Sequence, residues 1–541
     1  MRLICSSLTS TTPRFLSKLL LDKKQSFLLL IFVSLIIRVY RFGDTPIFPD
    51  EITWMVRGKE TFLAIRTFNI GHISDFFNSA NAWWKIADDT ESIALPLVGI
   101  IGPFVAYLGK GQSIVSRNIL ADFVAARLPL VIINSCFIGL LYVFTEKITD
   151  RTTAFFVALL YAFDPVSIAY GRLILNDSLL TVFMFAGICA FFFIKSFKIS
   201  VVVSSAALAL AFLTKPVGIL ILLSWGTFYL LSKDKSFVLK KFIYSLLLAT
   251  LIILILWPES WYKPLISIGE YLLRQAGLVN RGTRLYFMGE ISNNPPFYYY
   301  LYQIFSRLPI YIVFGLFAYV IFAVRYFFRR GIQYRILQNH KHEFSFFIMV
   351  FALLVVVGGA SKKSGVRYLL PLWPFFYIAS GWMLIRIASY IKIHTLRYLI
   401  FLGLFGVATF NLVHYSPNYD YYYNILVGGP EGAQRHILVG LCYGAKESAD
   451  YINSCFPQVN EFAYVGCSET VVPYYFHGIV TQDWQSQNVV VVEHSQEVLW
   501  SQSEGVNHFR DVNPEKIISR NAAVLSKVYV IDESLKNNCR I

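Results

Sequence analysis

Charge is what this 541-residue chain has least of: Asp, Glu, Lys and Arg together make up 15% of it. Soluble domains carry about 25%, so a water-facing globule of this length is excluded. Nine histidines and seven cysteines are scattered without an HExxH motif or any closely spaced set that reads as a metal site. The glycine patterns of P-loops and of Rossmann folds are both missing. Their absence argues against ATP-driven transport and against soluble nucleotide-sugar chemistry. No internal repeat is evident, and nothing resembles the paired inverted halves of many transporters.

What is present is apolar. Hydrophobic residues reach 56%, aromatic residues 17%, and the mean hydropathy is +0.54. Near-continuous apolar runs cover Phe27–Ile37, Ile93–Leu108, Phe123–Phe144, Ser178–Ile194, Val201–Leu213 and Val217–Leu231. Others follow at Phe242–Leu256, Ile310–Val324, Phe344–Val357, Tyr368–Ile385 and Leu399–Val413, and Thr153–Tyr170 reads as one more helix. Crossing hydrocarbon takes roughly 20 mostly apolar residues, so several runs extend into their flanks. The pattern predicts an α-helical polytopic membrane protein with about 11 to 13 spans. One helix per run does not give a clean alternation of sides between residues 109 and 177.

The net charge of +15 points to membrane edges rather than to nucleic acid. Cations cluster at Lys18, Lys23 and Lys24, at Lys233–Lys241, at Arg325–Arg335 and at Arg386–Arg397. Such clusters mark cytoplasmic loops. They place a basic tail, residues 1–26, inside, and leave the loops 42–91 and 257–302 and the tail 414–541 outside. Arg38, Tyr40 and Arg41 follow the first run instead of a small-residue cleavage site, so that run reads as a signal anchor. In the first outer loop, Trp83 and Trp84 suit either an interfacial helix or a simple aromatic belt.

Beyond His414 no further spanning run occurs. Strand-like segments at Glu461–Val465, Asn488–Glu493 and Lys527–Ile531, with helices at Ala445–Asn453 and around Val471–Phe476, predict a small extracytoplasmic α/β domain. It holds Cys442, Cys455 and Cys467, where a disulfide is permitted but an odd count leaves the pairing open.

Ionisable groups beside apolar runs are costly unless shielded or used. Asp50 and Glu51 follow a proline turn just after the first run. They read either as a carboxylate pair able to take a proton from an acceptor or as two acids of a solvated loop. Arg172 and Asp177, five residues apart, cannot share the face of one straight helix. Either Arg172 binds a phosphate through its fork of donors, with Asp177 holding it, or the two form an ordinary structural ion pair. Lys215, before Pro216 at a break between runs, is a snorkelling lysine or a phosphate contact. Lys362, Lys363 and Arg367 form a cationic cluster on the outer side, against the positive-inside trend; neutralising a lipid phosphate would explain it.

These segments resemble the GT-C class of polytopic glycosyltransferases, specifically the protein O-mannosyltransferase and aminoarabinose-transferase-like group. The resemblance lies in Pro49-Asp50-Glu51, in the stretch from Ala169 to Leu180, in Ala211–Gly218 and in Tyr286–Glu290 with Pro295-Pro296. It continues in Lys362-Lys363 with Arg367–Pro371, and in Tyr422-Tyr423-Asn424 with Gly428-Gly429. It implies transfer of a sugar from a polyprenyl- or dolichyl-phosphate carrier to a lipid, glycan or protein acceptor outside the membrane, with inversion. Asp50 would be the catalytic carboxylate, with Glu51 beside it. Arg172, Lys215, Lys362, Lys363 and Arg367 would contact the donor phosphate, supported by Asp177 and Glu290. No cofactor is named, and a divalent cation is left open. One departure stands out: many members carry His-Pro-Pro ahead of the second span, where this chain has Ser92-Ile93-Ala94-Leu95-Pro96. A flippase or transporter would bind the same headgroup with the same cations but would need no base at Asp50.

Overall fold

The computed structural model describes residues 22–52, 54, 55, 119–256, 269, 273, 282, 284–331, 334–360, 363, 365–440, 443–466 and 471–536. The run at 93–108, the Ser92–Pro96 departure, Trp83, Trp84, Lys362, Cys442 and Cys467 lie outside these residues.

Helix α1 (Lys23–Val39) opens on a capping box between Asp22 and Gln25. The bundle continues through α2 (Ile119–Ile148), α3 (Arg151–Ala162), α4 (Pro165–Arg172), α5 (Asn176–Phe193) and α6 (Phe197–Thr214). A 3-10 helix, Pro216–Leu220, leads into α7 (Ile221–Leu231), and α8 (Lys235–Leu256) follows. After a hairpin come α9 (Tyr299–Arg307), α10 (Ile310–Arg330) and α11 (Lys341–Gly359). A second 3-10 helix, Val366–Leu372, leads into α12 (Trp373–Tyr390), and α13 (His394–His414) completes the bundle.

Among the described residues, eight helices are long and apolar enough to cross a membrane, or up to nine if the bent pair α3–α4 is one span. The larger number expected from hydropathy includes α1, which has 17 residues, and the shorter Pro216–Leu231. The irregular alternation before residue 177 also has a physical cause. Asp164 caps the first turn of α4 through Ser167 N–H and Pro165 cannot continue α3, so the apolar run bends by 60°.

Burial sorts the helices into an inner and an outer set. The best apolar window of α5 is 78% buried, as is that of the Val366–Tyr390 segment, whereas the windows of α13 and α10 are 11% and 17% buried. The latter two present Phe314, Phe317, Leu402 and Phe410 outward, where lipid tails are as apolar as the side chains themselves.

The chain order gives the bundle two ends. At one end Asp177, in the first turn of α5, meets Lys215 at the end of α6. At the other, Lys241 near the start of α8 donates to the Phe191 carbonyl near the end of α5 at 2.5 Å. The basic segment Lys233–Lys241 therefore lies opposite Asp177 and Lys215.

The tail docks at the Asp177 end. Ile47 N–H donates to the Tyr475 hydroxyl at 2.8 Å, and the Phe48 and Tyr443 rings lie 5.8 Å apart. The Asp50 loop and the tail are thus on one side. After α14 (Ala445–Cys455) the tail forms a five-stranded sheet of β3 (Glu461–Val465), β4 (Ile479–Thr481), β5 (Val489–Glu493), β6 (Lys516–Arg520) and β7 (Ala523–Val530). Its order is β4-β3-β5-β7-β6, parallel at β3–β4 and β3–β5 and antiparallel at β5–β7 and β6–β7. Mixed pairing with helices agrees with the α/β expectation. Strands β4 and β6 escaped it because their exposed positions break the apolar pattern. The hairpin of the second outer loop pairs β1 (Leu285–Phe287) with β2 (Glu290–Ser292).

Candidate active site

The loop Thr45–Glu51 is held before anything on it can act. Glu51 is fully buried, and both of its oxygens are saturated. Oε1 accepts from Arg127 Nε at 2.8 Å and from Ile174 N–H at 2.9 Å. Oε2 accepts from Arg127 Nη2 and, at 2.9 Å, from Phe48 N–H. The Arg127 guanidinium also donates to the Thr45 and Pro46 carbonyls at 2.9 and 2.8 Å. One ion pair therefore ties the loop, α2 and the α4–α5 connection together. With four donors and no exposed surface, the Glu51 carboxylate serves here to organise the loop beside Asp50.

Asp50, next in the chain, points the other way. Its side chain is 45% exposed and accepts from Arg367 Nη1 at 2.6 Å. Arg367 sits in the 3-10 helix 366–372, 16% exposed, with its guanidinium 5.6 Å from both the Phe48 and Tyr368 ring centroids. Lys215 also approaches Tyr368, its Nζ 4.4 Å from the ring centroid, and is paired with Asp177. Two acid–cation pairs, Asp50–Arg367 and Asp177–Lys215, therefore meet at one tyrosine.

Local sequence explains how Lys215 reaches this place. Pro216 has no N–H to continue α6, so Lys215 is extended (φ −154°, ψ 142°) and its side chain leaves the helix axis. Gly218 lets the following turn lie against α6: a Cβ there would be 2.5 Å from the Ala211 carbonyl carbon. Asp177 stands in the first turn of α5, where the helix dipole favours an anion.

The other expected cations fall elsewhere. Arg172 is fully buried and does not meet Asp177, whose partner is Lys215. Its Nη2 donates to the Ile37 carbonyl at 3.0 Å and to that of Tyr40, and its guanidinium lies 4.9 Å from the Tyr419 ring centroid. Five residues along a bent chain give the two side chains different neighbours, so the expected Arg172–Asp177 pairing is corrected. Nε and Nη1 of Arg172 have no partner among the described residues; Arg172 lines a small cavity with Thr45, Leu173, Asp420 and Tyr443. Burial pushes the Asp420 carboxyl up, against the pull of the Tyr443 hydrogen bond and of Arg307. Lys363, on the connection after α11, is buried and donates to the Ala360 carbonyl at 2.8 Å and to Asn294 Oδ1 at 3.3 Å; burial lowers its pKa. Glu290 is exposed in the β1–β2 hairpin, which bridges to Ile437 of the tail.

Sequence reasoning passed over Arg127, although a lone arginine inside the run Phe123–Phe144 carried the signal. The Tyr-Tyr-Asn and Gly-Gly motif also acquires a use. Asn424 donates through Nδ2 to the Phe305 and Leu308 carbonyls at 2.6 and 2.9 Å, latching the tail onto the end of α9. Gly428 and Gly429 then turn the chain at φ 78° and 66°, a conformation that suits glycine. Among the described residues no three histidine, cysteine or carboxylate side chains gather into a cation-binding group.

Residues 103–262 match the sequence profile of dolichyl-phosphate-mannose-protein mannosyltransferases. No curated protein matches the chain. Among solved structures, the fold is similar to that of ArnT from Cupriavidus metallidurans bound to undecaprenyl phosphate. The TM-score is 0.50 at 14% identity, over 94% of this chain and 98% of that one. It is also similar to the archaeal oligosaccharyltransferase AglB from Archaeoglobus fulgidus, in complex with an inhibitory peptide and a dolichol-phosphate. There the TM-score is 0.50 at 10% identity, over 88% of this chain and 70% of that one. The chain is thus a polytopic membrane protein of GT-C fold that resembles the glycosyltransferases of the protein O-mannosyltransferase and ArnT type.

Proposed function

We propose that this protein transfers a sugar from a polyprenyl- or dolichyl-phosphate carrier to a lipid, glycan or protein acceptor. The observation that carries the reading is the pair of acid–cation contacts around Tyr368 at one end of the bundle. Arg367 and Lys215 are cations at the ends of apolar helices, which suits contact with a carrier phosphate at a headgroup. Asp50 is the half-exposed carboxylate next to them. In the transfer, Asp50 takes the proton of the acceptor O–H or N–H as that atom bonds to the anomeric carbon. The bond from that carbon to the phosphate oxygen breaks, and its electron pair leaves with the carrier phosphate. Cations held ready for that negative charge stabilise it without reorganising. A base and a leaving group on opposite faces give inversion. The coupling of base to leaving group favours an enzyme over a flippase.

The site faces the non-cytoplasmic side. Two observations support this: the basic segment Lys233–Lys241 lies at the opposite end of the bundle, and Cys455 of the tail is disulfide-bonded, as suits an oxidising compartment. The test is transfer of labelled sugar by purified protein in nanodiscs, across defined polyprenyl-phosphate donors and acceptors. Carrier movement without any sugar transfer would sink the reading. Membrane-impermeant labelling of single cysteines placed in the tail checks the side.

A further inference from the structure

We propose that the Asp50–Arg367 pair is a latch opened by the donor: the carrier phosphate takes Arg367 from Asp50, and only then is the base free for an acceptor. This deepens the reading of Arg367 as a phosphate ligand and rests on it.

The two ion pairs of the site are unequal. Asp177 is 4% exposed. Drawing Lys215 away from it would strand a buried carboxylate, which is costly. Asp50 is 45% exposed, so water can replace Arg367 around it. A phosphate arriving between the two cations therefore competes with Asp50 for Arg367 and leaves Asp177–Lys215 in place. Arg367 need not travel. The Phe48 and Tyr368 rings flank its guanidinium at equal distance, and a planar fork of donors suits two phosphate oxygens as well as it suits a carboxylate. Glu51 and Arg127 meanwhile keep the loop fixed, so Asp50 loses its partner but not its position. The consequence is an order of events. With no donor bound, Arg367 occupies one Asp50 oxygen; with the donor bound, both oxygens are available to the acceptor.

The experiment is a double-mutant cycle on binding of undecaprenyl phosphate to the full chain in nanodiscs. If Asp50 and the phosphate compete for Arg367, Asp50→Asn should tighten binding by about fivefold, the upper range for a partly exposed ion pair. Asp50→Glu, which keeps the charge, should bind as wild type does. In an Arg367→Gln background the effect of Asp50→Asn should vanish, because the contested group is gone. Unchanged or weaker binding by Asp50→Asn would mean that Arg367 serves both anions at once and would overturn the latch. An equal tightening in the Arg367→Gln background would overturn it too, as direct repulsion between carboxylate and phosphate. Failure of the wild-type protein to bind the lipid at all would instead remove the functional reading beneath it.

Discussion

Replacing Arg127 by Met tests the clamp on which the site depends. Arg127 is 1% exposed and Glu51 is fully buried. Arg127→Met removes two of the four donors on the Glu51 carboxylate and its ion-pair partner among the described residues. Stranding one partner of a buried pair costs about 3–5 kcal/mol. Glu51→Gln strands the guanidinium instead, though the Thr45 and Pro46 carbonyls still accept from it, so a cost at the lower end of that range is expected. Combining the two leaves no uncompensated charge, and replacing a whole buried pair is often nearly neutral. The double variant should therefore be more stable than Arg127→Met alone, with a coupling of several kcal/mol. SDS titration of the purified variants in mixed micelles reads the stabilities. Transfer activity reads the role: a holding function for Glu51 predicts that the double variant returns to within about tenfold of wild type, well short of the 10²–10⁴-fold a general base contributes. Additive destabilisation within about 0.5 kcal/mol, or restored stability with transfer still lost, would refute the clamp as its structural role.

Asp50→Asn should keep the fold and lose transfer on the order of a hundredfold or more at saturating substrates; near-wild-type turnover would remove Asp50 from the chemistry. Gly218→Ala forces a Cβ to within 2.6 Å of the Ala211 carbonyl oxygen, so the turn after Lys215 must shift. A loss of about 1–3 kcal/mol is expected, together with a raised KM for the donor because Lys215 moves with it. In the tail, burial acts to raise the Glu497 pKa, but the hydrogen bonds from His494 and Lys527 outweigh it and hold the carboxyl below its usual range. That stability is fully present above the ordinary Glu pKa of about 4.3 and is lost as pH falls through the lower folded value. Glu497→Gln should accordingly flatten the acid dependence of hydrogen exchange in β7 of the intact protein, by about 1 kcal/mol or less. An unchanged slope would show that the Lys527 contact, at 2.8 Å, contributes nothing measurable.

Which parts of this were legible in the chain follows from the range of the forces concerned. Hydropathy is a sum over neighbours in sequence, so the polytopic class, most span positions and the change of character at His414 could be read residue by residue. The cations beside the spans were legible for the same reason: lysine or arginine beside a hydrocarbon-length apolar run stands out wherever it folds. Local stereochemistry also announced the break at Lys215-Pro216.

Partnership was not legible, because it is decided by which helix ends meet. Arg172 and Asp177 are near neighbours in sequence, yet the extended break between α4 and α5 at Leu173–Leu175 separates them, and the antiparallel return of α6 brings Lys215, 38 residues away, to Asp177 instead. Asp50 and Glu51 differ by one position and one methylene. Their separate fates come from Arg127 and Ile174 closing on one side of the loop while Arg367, 317 residues on, meets the other from a half-open surface. Composition and order along the chain were enough to put charges at this end of a helical membrane bundle. Only folding settles which carboxylate is buried as a fastening and which stays half-exposed, since burial and ion pairing depend on surfaces that the folded chain alone brings together.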